Sequence, residues 1–217
     1  MPLTPGILAR GRWAPEQVDA TWRPTHYEPP AQATDAADAA IKALRERGSP
    51  AHDGLSGRLV AFEGTPGQLH LELEPARWAL RLDRVDAAQS VAAMCVVRAG
   101  DGRWLAGRRA AWVASWAGRW ALGAGGAVEV GENPAHTLER ELREEWSVSG
   151  ERMTVEALVC LPQQLVMVIG VAVLADGAQV VPDEEHDEFA WWPAEVADWP
   201  AQADEPLRAM ATMLAAP

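Results

Sequence analysis

Residues 126–148 read GAVEVGENPAHTLERELREEWSV, and this segment limits the fold more than any other part of the chain. Asn133-Pro134 marks a helix start, because asparagine is a preferred N-cap and proline suits the first helical position. From Pro134 to Trp146 the backbone can wind about three and a half turns. At roughly 100° per residue, Glu141, Glu144 and Glu145 share an arc of about 100°, and Ala135, Leu138, Leu142 and Trp146 share the adjacent one. One stripe therefore packs while its neighbour carries carboxylates. Like charges at these spacings cost a helix a few tenths of a kcal/mol per pair, roughly. A chain that keeps them together implies a cation between them, and oxygen-only donors select magnesium or manganese rather than zinc. The alternative is a solvated acidic face interleaved with Arg140 and Arg143. That alternative leaves Gly126, Glu132 and the Asn-Pro start in register with the helix for no reason.

Written as spacing, the segment is Gly126, five residues, Glu132, seven residues, Arg140-Glu141-Leu142-Arg143-Glu144-Glu145, then Ser147-Val148. It resembles the Nudix box, G-x5-E-x7-R-E-U-x-E-E-x-G-U with U aliphatic, and departs from it only at Ser147, where the pattern has glycine. A pattern this long is far more specific than a short glycine motif. The resemblance implies an α/β fold, the Nudix-type α/β/α sandwich, with the box as a loop-helix-loop. It also implies hydrolysis of a diphosphate bond in a nucleoside diphosphate derivative, whether a nucleoside triphosphate, a nucleotide sugar or an ADP-ribose type compound. By the same resemblance Glu141, Glu144 and Glu145 hold Mg2+ or Mn2+, helped by a backbone carbonyl at Gly125 or Gly126. Arg140 anchors the carboxylates and Glu132 braces the loop. The general base is Glu141, Glu144 or a loop acid such as Glu184 or Glu185. Glycine at the box end suits a left-handed residue, which costs other residues about 1 kcal/mol or more, so Ser147 predicts a shifted helix exit without loss of the metal ligands. A Nudix-like domain that binds a nucleotide or a protein without hydrolysis is the alternative function; such domains usually lose box glutamates, and all four are present here.

A second feature needs no family. Between Gly102 and Val128 there is no Asp or Glu, yet Arg103, Arg108, Arg109 and Arg119 all occur, in a protein of net charge −12. A local positive patch beside a carboxylate site would attract a polyanion, and the guanidinium fork suits phosphate. Arg108, Arg109 and Arg119 are thus candidate substrate-binding residues, set against the alternative that they pair with acids elsewhere. Trp104, Trp112, Trp116 and Trp120 share the stretch, as core or rim residues or as stacking surfaces for a base. The acidic balance argues against a nucleic-acid partner, which calls for basic surface.

Along the chain, residues 1–34 are rich in proline and polar breaks and read as irregular. A helix is expected over 35–47, a break at Ser49-Pro50, and strands over 57–63 and 68–74 around a Gly-Thr-Pro-Gly turn. In the second strand Leu69, Leu71 and Leu73 alternate with His70, Glu72 and Glu74, so one face is buried, against the second domain or in a homodimer. A third strand is expected over 77–82. These make residues 1–85 an N-terminal extension with a small antiparallel sheet, followed by a Nudix hydrolase domain over 86–217. In that domain strands are expected over 90–98, 103–108, 119–122, 154–161, 165–175 and 189–192, with a closing helix over 205–214. The longest apolar run, 165–175, is strand-sized, so no membrane span is expected. The chain start does not resemble a signal peptide, and the two cysteines, Cys95 and Cys160, lie in apolar strands as free thiols of a reducing compartment, so the cytoplasm is the expected location. No phosphate-loop, dinucleotide or serine-elbow motif is present.

Overall fold

In the computed structural model, residues 2–49 and 53–216 are described; Pro50, part of the expected break, lies outside them. The strands are β1 (Gly6–Trp13), β2 (Val18–Trp22), β3 (Leu55–Thr65), β4 (Gln68–Arg77), β5 (Val91–Arg98), β6 (Trp104–Arg109), β7 (Trp120–Leu122), β8 (Ala124–Ala127), β9 (Arg152–Cys160), β10 (Val166–Val173) and β11 (His186–Trp192). The helices are α1 (Ala31–Glu46), α2 (Pro134–Trp146) and α3 (Glu205–Ala215). The large sheet runs β1-β9-β10-β5-β6-β11, with β7 on β6 and β8 on β5. Its centre is β10, parallel to β5 and antiparallel to β9. The run VMVIGVAV suits that place, because a strand covered on both faces is apolar throughout.

Side chains of each strand alternate between two cores. Val91, Ala93, Cys95, Val166, Val168 and Leu105 join Ala135, Leu138, Leu142 and Trp146 of α2. On the opposite face Val96, Met167, Ile169, Trp104 and Ala106 pack with Ala211 and Leu214 of α3. Helix, sheet and helix form the α/β/α sandwich. Among the described residues no helix is long and apolar enough to cross a membrane.

Residues 2–34 are not irregular throughout, and this corrects the sequence reading. β1 lies at the edge of the large sheet against β9, and β2 pairs in parallel with β4 in a second, three-stranded sheet ordered β2-β4-β3. β1 does not alternate cleanly in sequence, and β2, which does, is only five residues long; the hydrogen bonds of both come from strands far along the chain. Residues 78–82 are likewise not a strand but a 3-10 turn. The Trp78 N–H donates to the Gly54 carbonyl at 2.8 Å, and Ala79 and Leu80 pack on Ala37, Ile41 and Leu44 of α1.

The leucine row does face a core. Leu69, Leu71 and Leu73 are fully buried in the cluster that holds the apolar face of α2. They are therefore enclosed within the chain and do not offer a face to a second copy. The small sheet also grips the loop before α2. The Gly57 N–H donates to the Val128 carbonyl at 2.8 Å and Trp22 Nε1 to the Glu132 carbonyl at 3.1 Å.

Candidate active site

Helix α2 begins where the Asn133 side chain accepts the Ala135 N–H at 2.9 Å, while its amide donates to the Val18 carbonyl at 2.8 Å. The cap is thus tied both to the helix and to β2. The helix ends at Trp146, and Ser147 takes the left-handed conformation itself, φ 55° and ψ 31°. The expected shift of the exit does not occur: serine adopts the backbone that glycine would take more cheaply.

The acidic stripe is mostly buried. Glu141 is 8% and Glu145 3% exposed, whereas Glu144 stands at the surface. Arg140 gathers the group. Its Nε and Nη2 donate to Glu132 at 3.0 and 3.1 Å, and its Nη1 donates to Glu141 at 2.7 Å and Glu144 at 3.1 Å. Glu132 also accepts from Thr137 Oγ1 at 2.7 Å and from the Glu129 N–H at 3.2 Å, so it ties the loop to the helix. Burial opposes ionisation of Glu132, but Arg140, Thr137 and the Glu129 N–H together outweigh it and hold the carboxyl below its ordinary range. Burial also works against the charge on Arg140; the bonds to Glu132 and the field of Glu141 still raise its pKa. Glu141 differs: burial pushes its carboxyl up, and Arg140 offsets only part of that.

Glu145 is the most displaced carboxyl. Burial pushes it well above the usual range, with partial relief from the Arg109 charge and the Gly125 N–H, which donates to Oε1 at 2.9 Å. Among the described residues its buried Oε2 has no hydrogen-bond partner. The nearest groups are His186 Nε2 at 3.6 Å and Arg109 Nη1 at 3.8 Å. His186 packs on the Trp146 ring at 4.5 Å between centroids, and burial lowers its pKa despite Asp183 beside Nδ1. Gly126, on β8, faces the stripe directly: a Cβ there would stand 2.0 Å from Glu141 Oε1. A side chain there would displace the carboxylate from the place where Arg140 holds it.

Gly126, Arg140, Glu141, Glu144 and Glu145 line a cleft of about 1400 Å³, together with Gly125, Arg109, Arg119, Glu184 and Glu185. The expected arginines divide. Residues 104, 106 and 108 of β6 point to the α3 face and 105, 107 and 109 to the α2 face. Arg109 therefore reaches Glu185 at 2.8 Å and the surroundings of Glu145, whereas Arg108 lies outside the cleft, 3.6 Å from Glu188. Arg119 lines the cleft and is paired to Asp204, the α3 cap. For Arg108 the structure favours the surface-pair alternative. Trp104 and Trp120 belong to an indole cluster with Trp192 and Trp199, while Trp112 and Trp116 line the cleft.

Sequence reasoning missed the contribution of the first 85 residues. Arg47, Trp78, Arg81 and Arg84 also line the cleft. No spacing pattern marks them, because the folding of α1 and the 3-10 turn over the sheet brings them there. His186 was passed over for a similar reason, since no second histidine stands at a metal spacing from it.

Magnesium or manganese can be tested against these donors. Among the described residues no three His, Cys, Asp or Glu side chains converge as a ready ligand set; Arg140 draws Glu141 and Glu144 onto itself. Yet the stripe supplies carboxylate oxygens only, two of the three carboxylates are buried, and Glu145 Oε2 lacks a partner. A buried carboxylate oxygen without a hydrogen bond fits a hard divalent cation.

The family model described as NUDIX domain matches residues 88–212. No curated protein matches the chain. Several solved structures are similar. A Deinococcus radiodurans protein is 20% identical, with a TM-score of 0.42 over 48% of this chain and 66% of its own, so the match spans about two thirds of that relative. MutT, from a study of Aliivibrio salmonicida and Vibrio cholerae, is 19% identical, with a TM-score of 0.45 over 56% of this chain and 95% of its own. The NUDIX domain of Shewanella oneidensis NrtR, complexed with ADP-ribose, is 19% identical, with a TM-score of 0.46 over 58% of this chain and 86% of its own.

Proposed function

The chain belongs to the NUDIX domain family, and from that membership we propose that it hydrolyses a diphosphate linkage in a nucleoside diphosphate derivative. The class includes nucleoside triphosphates, nucleotide sugars and ADP-ribose type compounds. The observation that carries the reading is the packing of Glu141 and Glu145 into the cleft wall beside Glu144, with Glu145 Oε2 buried and unbonded. Glu141, Glu144 and Glu145 would hold magnesium or manganese, with a backbone carbonyl of Gly125 or Gly126 as a further oxygen. When bound, such an ion neutralises phosphate oxygens and acidifies a water.

The chain's own groups divide the remaining work. Arg140 orients Glu141 and Glu144, and Glu132 holds Arg140 and the loop in place. Gly126 keeps the space before Glu141 open. Glu141, Glu144, Glu184 and Glu185 are the carboxylates along the cleft that can take the proton of an attacking water. Arg109 is the phosphate-facing cation of the predicted set. The net charge of −12 supports a small nucleotide as partner, not a nucleic acid, and no membrane partner is proposed. Cys95 and Cys160, both buried and free, support a cytoplasmic location.

A panel of nucleoside triphosphates, nucleotide sugars, ADP-ribose and dinucleotides, each with magnesium, tests the proposal by 31P NMR of the products. Cleavage between two phosphorus atoms, abolished by a chelator, is the expected result. The engagement of Glu141 and Glu144 by Arg140 favours a second reading, binding without hydrolysis. That reading takes over if nucleotides bind and no compound is cleaved.

A further inference from the structure

The cleft contains more cations than the acid-free stretch accounts for. Arg140 is held by three glutamates, Arg109 by Glu185 and Arg119 by Asp204. Arg47 donates to the carbonyls of Val113 and Ala114. Arg81 is different. It is half-buried, its guanidinium enclosed by protein but open to the cleft. Among the described residues it has no ion pair or hydrogen bond, only a stacking contact at 5.7 Å from the Trp78 ring.

Its position is built. The 3-10 turn that carries it is pinned by the Trp78–Gly54 hydrogen bond and by Ala79 and Leu80 packed on α1. It lies near enough to Glu141 and Arg109 to sense both charges, and burial pushes its pKa down to about 10, with partial relief from Glu141. A guanidinium remains charged at neutral pH all the same. A half-buried guanidinium without a partner is partly desolvated, and an anionic ligand offsets that cost. The guanidinium fork matches the oxygens of a phosphate.

We infer that Arg81 is a substrate-binding residue of the active site, receiving phosphate oxygens of the diphosphate from a turn that precedes the NUDIX match. This rests on the diphosphate reading above, and it makes residues before 86 part of the site. Arg84, exposed on the same wall, is a weaker contributor because water screens it.

The test is Arg81→Ala and Arg81→Lys in the full chain. Charged hydrogen bonds to phosphate are worth about 1.5 to 3 kcal/mol, so Arg81→Ala should raise KM about ten- to a hundredfold with kcat within about threefold. Arg81→Lys should lie between, keeping the charge but not the fork. Thermal midpoints should not fall, since no partner is left unpaired; a residue that only supports the turn would lower the midpoint and leave KM alone. Unchanged KM in a hydrolysing enzyme overturns the inference and leaves the diphosphate reading intact. If the wild type cleaves nothing, the diphosphate reading fails and titration with ADP decides. Binding that weakens about tenfold or more in Arg81→Ala supports the anion site, and equal or absent binding overturns it. Should Arg81→Ala fold poorly, Arg81→Lys decides by the same measurements.

Discussion

The two faces of the large sheet are covered by helices of similar length, but from different parts of the chain and with different chemistry. The α3 face is assembled from residues 94 onward, with Trp104, Trp192 and Trp199 in mutual contact. The α2 face draws Trp13, Val18, Leu59, Leu69, Leu71 and Leu73 from residues before 86, and it alone encloses Glu141, Glu145 and His186. Indoles on the α3 side satisfy themselves: Trp104 Nε1 donates to the Ala194 carbonyl and Trp199 Nε1 to that of Pro193. Carboxylates on the α2 side do not, since Glu145 keeps an orphaned oxygen. One face is built to be stable. The other holds Glu141 and Glu145 where burial opposes their ionisation, a perturbation that clusters at functional sites.

The largest way to break this contrast is to remove the cover of the α2 face. A chain beginning at Asp86 loses β1, β2, β3 and β4, baring the apolar stripe and the loop that Gly57 and Trp22 hold. It should be insoluble or show strong binding of a hydrophobic dye, whereas a folded, fully active truncation would reduce residues 1–85 to an appendage.

Next in size, Glu145→Gln and separately Glu141→Gln should each lower turnover by at least about a hundredfold, the scale of a lost charge-stabilising contact. Stability should move the other way. Burial raises both carboxyl pKa values, so without metal their contribution is fully present below the unfolded-state pKa and is lost as pH rises through the folded one. Urea denaturation in chelator should show the wild type losing stability from mildly acid to neutral pH, and Glu145→Gln losing less. A steeper slope in the variant would contradict the assignment.

How much of this was legible in sequence also divides by face. The box helix, its cap and its two stripes followed from spacing, because helix periodicity and capping are local. β5, β6, β9, β10 and α3 followed from apolar runs and a cap. β1 and β2 did not, since their pairing partners are far away in sequence, β1 lacks a clean alternation and β2 is only five residues long. A strand is expected over 77–82, yet β4 ends at Arg77 and tertiary contact with α1 makes Trp78–Leu82 a 3-10 turn. Nor could a charge count tell Arg108 from Arg109, although strand alternation sends these neighbours to opposite faces.

That pair gives a smaller, sharper test. Arg109→Ala should cost about tenfold or more in kcat/KM, on the scale of a lost charged hydrogen bond, while Arg108→Ala should stay within about twofold. Equal losses would mean that both faces serve the substrate. Smallest of all is Ser147→Gly, which should stabilise the chain by about 1 kcal/mol, since glycine takes the left-handed backbone without strain. Chemical denaturation measures it, and no gain would mean that serine adopts φ 55° at no cost.

The central claim is that water attacks a phosphorus atom at the carboxylates of the α2 face. Hydrolysis of the best substrate in 18O-labelled water, with mass spectrometry of the products from wild type and Glu145→Gln, tests it most directly. The account predicts one 18O in a single phosphate-bearing product of the wild type and almost no product from the variant. Label at carbon, or labelled product formed at wild-type rate by Glu145→Gln, would contradict it.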